Sequence, residues 1–112
     1  MAAKSAKKKL DHVDYVVARA DSGVYCGERV SETPNGEGRM TLRLRNFRRI
    51  WKWEGFIGVQ AVHTVEDISV YGVGPTSKVS AVAAAITIAD ARCAVVCSGR
   101  ARAILEAAKW AQ

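Results

Sequence analysis

The chain has 112 residues, 49% of them hydrophobic and 25% charged, which leaves room for one domain and excludes wholesale disorder. The formal net charge is +6, but four of the 17 Lys and Arg lie in the first nine residues, which hold no acid. The other 13 basic residues face 11 acidic ones, so the rest of the chain carries only +2. We therefore expect residues 1–11 to be a disordered basic tail and residues 12–112 to form a single domain.

The sequence carries no sign of secretion or membrane insertion. No apolar segment follows the basic start, because Asp11 and Asp14 come at once. The longest weakly polar run, residues 79–89, is too short to span a bilayer. Three cysteines form an odd set that does not suggest a disulfide framework. We expect a cytoplasmic protein without membrane contact and with buried structural thiols at Cys26, Cys93 and Cys97.

The first predicted elements form a hairpin. Residues 13–20 are rich in Val and Tyr and predict a strand, and residues 24–30 predict a second one. Residues 21–23 (DSG) join them with the residue types of a tight turn. Gly27, inside the second strand, predicts a bulge or the close approach of another group.

A polar loop and a third strand are predicted next. Residues 31–38 contain a proline and an Asn-Gly pair, which favour a loop. Residues 40–45 alternate Met or Leu with Thr or Arg, as in a half-buried strand. The apolar parity changes at Asn46 and Phe47, which predicts a bulge. Residues 48–53 continue the strand, with Arg49, Trp51 and Trp53 on one face and Arg48, Ile50 and Lys52 on the other.

Residues 58–71 place four aliphatic side chains near helical spacing, and Gly72 is a natural helix stop. The β-branched side chains in this segment leave a strand as the alternative. Residues 74–76 predict a turn, and residues 79–88 and 92–97 predict two further strands.

A last helix is predicted over residues 99–110, capped by Ser98. Its apolar stripe would consist of Ala103, Ile104, Ala107 and Ala108. The whole pattern predicts an α+β fold, mainly an antiparallel sheet or a small barrel, with a middle helix and a C-terminal helix. So small a domain also favours a homo-oligomer.

The stretch from residue 43 to residue 53 (RLRNFRRIWKW) is the most informative. Five cations lie among three aromatic residues, and no acid occurs before Glu54. Guanidinium groups bind phosphate and indole rings stack on bases, so the stretch predicts a nucleotide-type site. On one strand face, Arg49, Trp51 and Trp53 would each lie about 7 Å from the next. We predict ligand binding by Arg48, Arg49, Trp51 and Trp53, with Tyr25, Ser22, Gly23 and Lys78 as helpers. The alternative is that the tryptophans are core residues and the arginines a solvated strand face.

Catalytic motifs of hydrolases, zinc proteases and nucleotide-cleaving enzymes do not occur in the sequence. His12 lies beside the tail and is expected to be exposed, whereas His63 is expected to lie partly buried in the middle helix. Glu66 and Asp67 are expected on the solvated face of that helix. The spacing of Cys93 and Cys97 does not favour zinc. We therefore expect no enzyme activity, no cofactor and no metal site.

Three segments resemble a small protein family of unknown function that is widespread in tailed phages and prophages. They are residues 14–31 (DYVVARADSGVYCGERVS), residues 46–55 (NFRRIWKWEG) and residues 86–110 (ITIADARCAVVCSGRARAILEAAKW). The middle segment is similar to the family's central Asn-x-Arg-Arg-aliphatic-Trp-aromatic-Trp signature. Lys52 stands where the signature has an aromatic residue, and Phe47 stands where a small residue is usual.

The resemblance implies a phage accessory protein. Combined with the Arg/Trp stretch, it leads us to expect a non-enzymatic sponge that sequesters a nucleotide second messenger of bacterial anti-phage defence, either a cyclic oligonucleotide or an ADP-ribose derivative. Two alternatives stay open. One is nucleic-acid binding by the basic strand and the lysine-rich tail, and the other is a protein-binding inhibitor of a host factor.

Overall fold

The computed structural model describes residues 13–53 and 55–109, which form seven strands and two short helices. The predicted tail (residues 1–11), His12 and the predicted end of the last helix at residue 110 lie outside these residues. The fold is α+β and mainly antiparallel, as predicted. In chain order the elements are β1 Tyr15–Ala20, β2 Gly23–Gly36, β3 Arg39–Lys52, β4 Phe56–Ile57, β5 Gln60–Ala61, α1 Val65–Tyr71, β6 Lys78–Val79, β7 Ala83–Val96 and α2 Gly99–Ala107.

The main sheet closes on itself. Strand β1 pairs with β2 and β7, and β3 pairs with the same two strands, so four antiparallel strands form a continuous barrel. Strand β6 pairs with the end of β3, beyond the part of β3 that pairs with β7. The two-residue strands β4 and β5 form a separate hairpin. Of the two predicted architectures, the structure adopts the barrel.

Both faces of β1 are buried, which explains its almost uninterrupted run of apolar residues. Val16 and Ala18 point into the barrel interior, whereas Tyr15 and Val17 point towards the helices. Each fully buried Val or Leu contributes about 1.5–3 kcal/mol. The barrel interior contains Val16, Ala18, Ala20, Tyr25, Leu42, Leu44, Ile88 and Ala91. The helix-side core contains Tyr15, Val17, Cys26, Ile50, Val62, Val65, Ile68, Val73, Val79 and Leu105.

The predicted polar loop over residues 31–38 is wrong. Strand β2 runs on to Gly36, and the turn consists only of Glu37 and Gly38, whose φ angles of 55° and 72° suit a tight hairpin turn. The extension is polar because its side chains are exposed. The amide nitrogen of Asn35 donates to the Ala89 carbonyl oxygen at 2.6 Å, which ties the extension to β7.

The predicted bulge in β3 is confirmed. Asn46 and Phe47 of β3 lie opposite the single residue Gly27 of β2, since Arg45 pairs with Glu28 and Arg48 with Cys26. Asn46 has a φ of 49°, a left-handed conformation that asparagine tolerates well. The bulge restores the register, so that apolar side chains continue to face the cores on both sides of it.

Gly27 is required because the bulge brings Phe47 against it. A Cβ at position 27 would lie 2.9 Å from the Cα of Phe47 and 3.2 Å from the Arg45 carbonyl oxygen. We expect Gly27→Ala to destabilise the fold by about 1–3 kcal/mol in urea unfolding, because backbone atoms must move. Gly99→Ala is the control: nothing lies within 4 Å of its added Cβ, and alanine favours the helix. Equal midpoints for the two variants would contradict the close packing at Gly27.

The two strands predicted over residues 79–88 and 92–97 are mostly one strand, β7. Two irregularities bend it. Ala89 and Asp90 lie opposite the single residue Thr41, and a second register shift follows where β7 pairs with β1. These shifts interrupt the alternation of apolar side chains, which is why the sequence pattern breaks there.

The middle helix is shorter than predicted. It begins at Val65, after the N-cap Thr64, and Gly72 ends it as expected. Asp67 closes a capping box, and the backbone N–H groups of His63 and Thr64 lower the pKa of its carboxyl group. His63 precedes the helix and is exposed, so its predicted place inside the helix is wrong.

The last helix has the predicted cap but a different buried stripe. The Ser98 hydroxyl accepts from the Ala101 backbone N–H at 3.1 Å. Ala101 and Leu105 are the buried residues, while the predicted Ala103 and Ala107 are exposed. Neither described helix is long and apolar enough to cross a bilayer.

Candidate functional site

Four of the predicted site residues meet at the β1–β2 turn. Arg49 lies opposite Tyr25 in the register of β3 and β2. Its Nη2 donates to the Ser22 carbonyl oxygen at 2.9 Å, and the Tyr25 hydroxyl donates to Ser22 Oγ at 3.1 Å. A Cβ at Gly23 would lie 3.1 Å from Nε of Arg49, so the missing side chain lets the guanidinium group lie against the turn.

Around Arg49 the chain forms a shallow, open cavity of about 540 Å³, here called the barrel-mouth surface. Tyr25, Phe47 and Ile86 pack in or against the barrel interior, so the surface lies where that interior opens to solvent. Ligand sites occur preferentially at such barrel mouths. Trp51 is 54% exposed and forms part of the rim. The lining residues are Tyr25, Phe47, Arg49, Trp51, Ser80, Ala81, Ala83 and Ile86.

Ser80 fixes the strand beneath Arg49. The backbone N–H of Arg49 donates to Ser80 Oγ at 2.8 Å, and the backbone N–H of Ser80 donates to the Arg49 carbonyl oxygen at 2.8 Å. The rings of Tyr25 and Phe47 pack at a centroid distance of 6.4 Å and an angle of 57°. The wall of the surface is therefore held by hydrogen bonds and ring packing on regular strands, which favours preorganised binding.

Chemically, the surface joins one cation to an aromatic wall. The guanidinium group of Arg49 has five N–H donors, and the bond to Ser22 engages the Nη2 nitrogen. Other N–H groups can donate to an anion such as phosphate. The half-exposed indole ring of Trp51 can stack on a flat ring system.

Arg48 lies elsewhere, although the sequence predicted it for the same site. It is only 3% exposed. Its Nε donates to the Ser80 carbonyl oxygen at 2.7 Å, and its Nη1 donates to the carbonyl oxygens of Leu105 at 2.8 Å and Glu106 at 3.4 Å. The Leu105 and Glu106 carbonyls belong to the last turn of α2, where the backbone carbonyl oxygens have no N–H donor within the helix. Arg48 therefore holds α2 on the barrel.

Trp53 and Lys78 are also separated from the barrel-mouth surface. Trp53 packs against the helix-side core, on the other side of the sheet from Arg49 and Trp51. The strand ends at Lys52, so the predicted alternation does not extend to Trp53. Lys78 lies opposite Lys52 in the register of β6 and β3, outside the lining of the surface in the described part of the chain.

A family model described as Domain of unknown function (DUF6948) matches residues 13–105. The chain belongs to this family. The match covers the whole barrel and most of α2. No curated protein and no solved structure matches the chain.

Sequence reasoning missed two residues that matter in this DUF6948 domain. Phe47 was noted for the change of parity and for its departure from the family signature but was not assigned to the site, yet the bulge turns its side chain onto the barrel-mouth surface. The change of parity at Asn46 was the signal that could have found it. Ser80 carried no such signal, because its bonds to Arg49 join positions 31 residues apart.

Cys26 is buried in the helix-side core of the DUF6948 domain, as expected, whereas Cys93 and Cys97 are half-buried and pack against that core. No group of three or more His, Cys, Asp or Glu within residues 13–53 and 55–109 could hold a metal ion. Burial raises the pKa of Cys26 to about 11, although its thiol accepts a hydrogen bond from Tyr15 at 3.4 Å. Burial, and then the nearby Cys26, raise the pKa of Cys97 to about 12.

These pKa values predict slow thiol chemistry. With a pKa of about 11, Cys26 is thiolate in only on the order of 0.1% of molecules at pH 8. In a Cys93→Ser variant we expect an aromatic disulfide reagent to modify Cys26 and Cys97 far more slowly in the native protein than in urea. Equal rates in both conditions would contradict the assignment of these thiols to the core.

Proposed function

We propose that this DUF6948 protein binds a nucleotide second messenger, either a cyclic oligonucleotide or an ADP-ribose derivative, and sequesters it without turnover. One observation carries the proposal. The Arg49 guanidinium group is held at the barrel mouth by Ser22, inside a concave wall that contains Trp51, Phe47 and Tyr25. A cation beside stacking surfaces is the combination that a phosphate joined to a base requires.

The size and position of the surface agree with such a ligand. Its volume of about 540 Å³ lies within the roughly 300–1,000 Å³ typical of small-molecule sites. Binding alone would be sufficient for the proposed role, since a sponge lowers the free concentration of its ligand. The resemblance to phage and prophage proteins gives the context: the protein would act in the cytoplasm of an infected bacterium and evade its immune response.

We further propose that the protein acts as a homo-oligomer. The barrel-mouth surface is open, and Trp51 on its rim is 54% exposed. A second copy placed on this apolar rim would cover the ligand and bury the indole ring.

The same apolar rim also favours the second candidate, a protein-binding inhibitor whose exposed Trp51 anchors a host protein. Buried aromatic anchors carry much of the free energy of such interfaces. Nucleic-acid binding by the described residues has less in its favour. Five arginines of the barrel and α2 already pair with acids, namely Arg29, Arg39, Arg45, Arg92 and Arg102.

The test is a thermal-shift screen against cyclic dinucleotides, cyclic trinucleotides and ADP-ribose derivatives, with native mass spectrometry of the complex. A ligand at a hundredfold excess over its Kd stabilises by about 2.7 kcal/mol, which is easily seen. We expect a selective shift and an intact ligand of unchanged mass. A shortened or hydrolysed ligand would contradict sequestration, and no shift across the panel would favour the protein-binding candidate.

A further inference from the structure

A second cavity, of about 390 Å³, lies on the opposite face of the sheet from the barrel-mouth surface. It is bounded by the ends of β1, β2 and β7 and by the segment that leads into α1. Apolar side chains form the floor of the cavity, and Arg19, His63 and Glu66 line its sides. The volume suits a small molecule. We call it the helix-side pocket.

Strand pairing explains how the pocket forms. Arg19 lies opposite Val24 of β2 and opposite Cys93 of β7, so these three side chains share one patch of the sheet. Val24, Cys93 and Trp53 pack against the helix-side core and provide an apolar floor with one indole ring.

The wall that faces this floor consists of residues 63–66, which include the N-cap and the first residues of α1. The backbone N–H of His63 donates to Oδ2 of Asp67 at 3.0 Å. The His63 ring packs edge-on against Phe56 at a centroid distance of 5.7 Å. The wall that carries His63 and Glu66 is thus held by the helix cap and by the β4–β5 hairpin.

The charges of the pocket are balanced but separated. Arg19 and Glu66 both line it, yet within the described residues neither the Arg19 guanidinium group nor the Glu66 carboxylate takes part in an ion pair or a hydrogen bond, either with the other or with a third residue. Both side chains are exposed, so water solvates each charged group. The pocket therefore offers a donor and an acceptor at different points, with an apolar floor between its walls.

We propose that the helix-side pocket binds a small zwitterion of the amino-acid class with an apolar or aromatic side chain. The carboxylate would take two hydrogen bonds from the Arg19 guanidinium group. The ammonium group would lie near Glu66, and the side chain would rest on Trp53 and Val24. A simple anion would meet the repulsion of Glu66, and a simple cation that of Arg19, so a ligand with both charges complements the pocket best.

The experiment is calorimetric titration with L-leucine, L-methionine, L-phenylalanine and L-tryptophan. The best binder is then compared with its two single-charge analogues, the amine that lacks the carboxylate and the acid that lacks the ammonium group. We expect the zwitterion to bind about tenfold or more tightly than either analogue. The proposal would be overturned if none of the four amino acids binds at millimolar concentration. It would also be overturned if the best amino acid, its amine and its acid all bind equally well.

Two variants assign the charges. Arg19→Gln should remove the preference for the amino acid over the amine, because the carboxylate loses its partner. Glu66→Gln should remove the preference for the amino acid over the acid, because the ammonium group loses its partner. Arg43→Gln and Glu37→Gln are matched controls at exposed positions outside the pocket, and both should retain the wild-type preferences. Arg49→Ala should leave amino-acid binding unchanged, which separates this site from the proposed nucleotide site. If Arg19→Gln and Glu66→Gln behave like their controls, the assignment is wrong.

Discussion

Replacing Arg48 with alanine is expected to destabilise the protein by about 3–5 kcal/mol, the largest effect that we predict for a single side chain. The side chain is 3% exposed and joins β3 to the Ser80 carbonyl oxygen and to two carbonyls at the end of α2. Its removal leaves these acceptors without their donor and opens a cavity at the helix-side core. The positive charge of Arg48 also lies at the C-terminus of α2, where it interacts favourably with the negative end of the helix dipole.

Urea unfolding followed by tryptophan fluorescence measures this loss. Arg43→Ala is the control: it lies on the same strand but is exposed, and it should change the unfolding free energy by no more than about 0.5 kcal/mol. Arg48→Lys should fall between the two, because one ammonium group cannot reproduce the planar fork that reaches both Ser80 and Leu105. If Arg48→Ala and Arg43→Ala unfold alike, Arg48 does not hold α2 in place.

The contrast between Arg48 and Arg49 shows what a strand pattern can predict. Alternation correctly placed the two arginines on opposite faces of β3. It could not indicate that α2, more than 50 residues away in sequence, would cover the face that carries Arg48. The sequence therefore predicted the faces of the strand, but it assigned both arginines to one ligand.

Local signals predicted local structure well. The turn over residues 21–23, the bulge at Asn46, the stop at Gly72 and the cap at Ser98 each depend on a few neighbouring residues, and each is present. The same reasoning failed for residues 31–36. Their polar, turn-forming side chains suggest a loop, but pairing with β3 and the bond from Asn35 to Ala89 make them a strand.

The two cavities differ in how far they could be predicted. The barrel-mouth surface contains Arg49 and Trp51 from one short stretch, so composition and spacing were enough to indicate it. The helix-side pocket draws Arg19, the pair His63 and Glu66, and Cys93 from three separate segments. No local pattern connects them, because the barrel closure and the helix cap bring them together. Trp53, which was predicted for the first site, belongs to the second.

Alanine at Arg49 or at Trp51 is expected to lower the affinity for the nucleotide found in the screen by about tenfold to 100-fold, while leaving the fold intact. Arg49 would lose its charge-assisted bonds to phosphate, and Trp51 its stacking surface. Trp51 is 54% exposed and the bond from Arg49 to Ser22 is exposed, so neither change should cost more than about 0.5 kcal/mol of stability. Calorimetric titration and urea unfolding of the same samples separate the two effects.

Trp53→Phe is the matched control, since it changes the other tryptophan of the same stretch on the opposite face of the sheet. It should retain nucleotide affinity. Arg49→Lys should bind more weakly than the wild type but more tightly than Arg49→Ala, because it keeps the charge and loses the planar donors. If Arg49→Ala and Trp51→Ala both bind with wild-type affinity, the ligand lies elsewhere. If they bind nucleotide normally but lose a host protein, Trp51 is an interface anchor and the barrel mouth is a protein-binding surface.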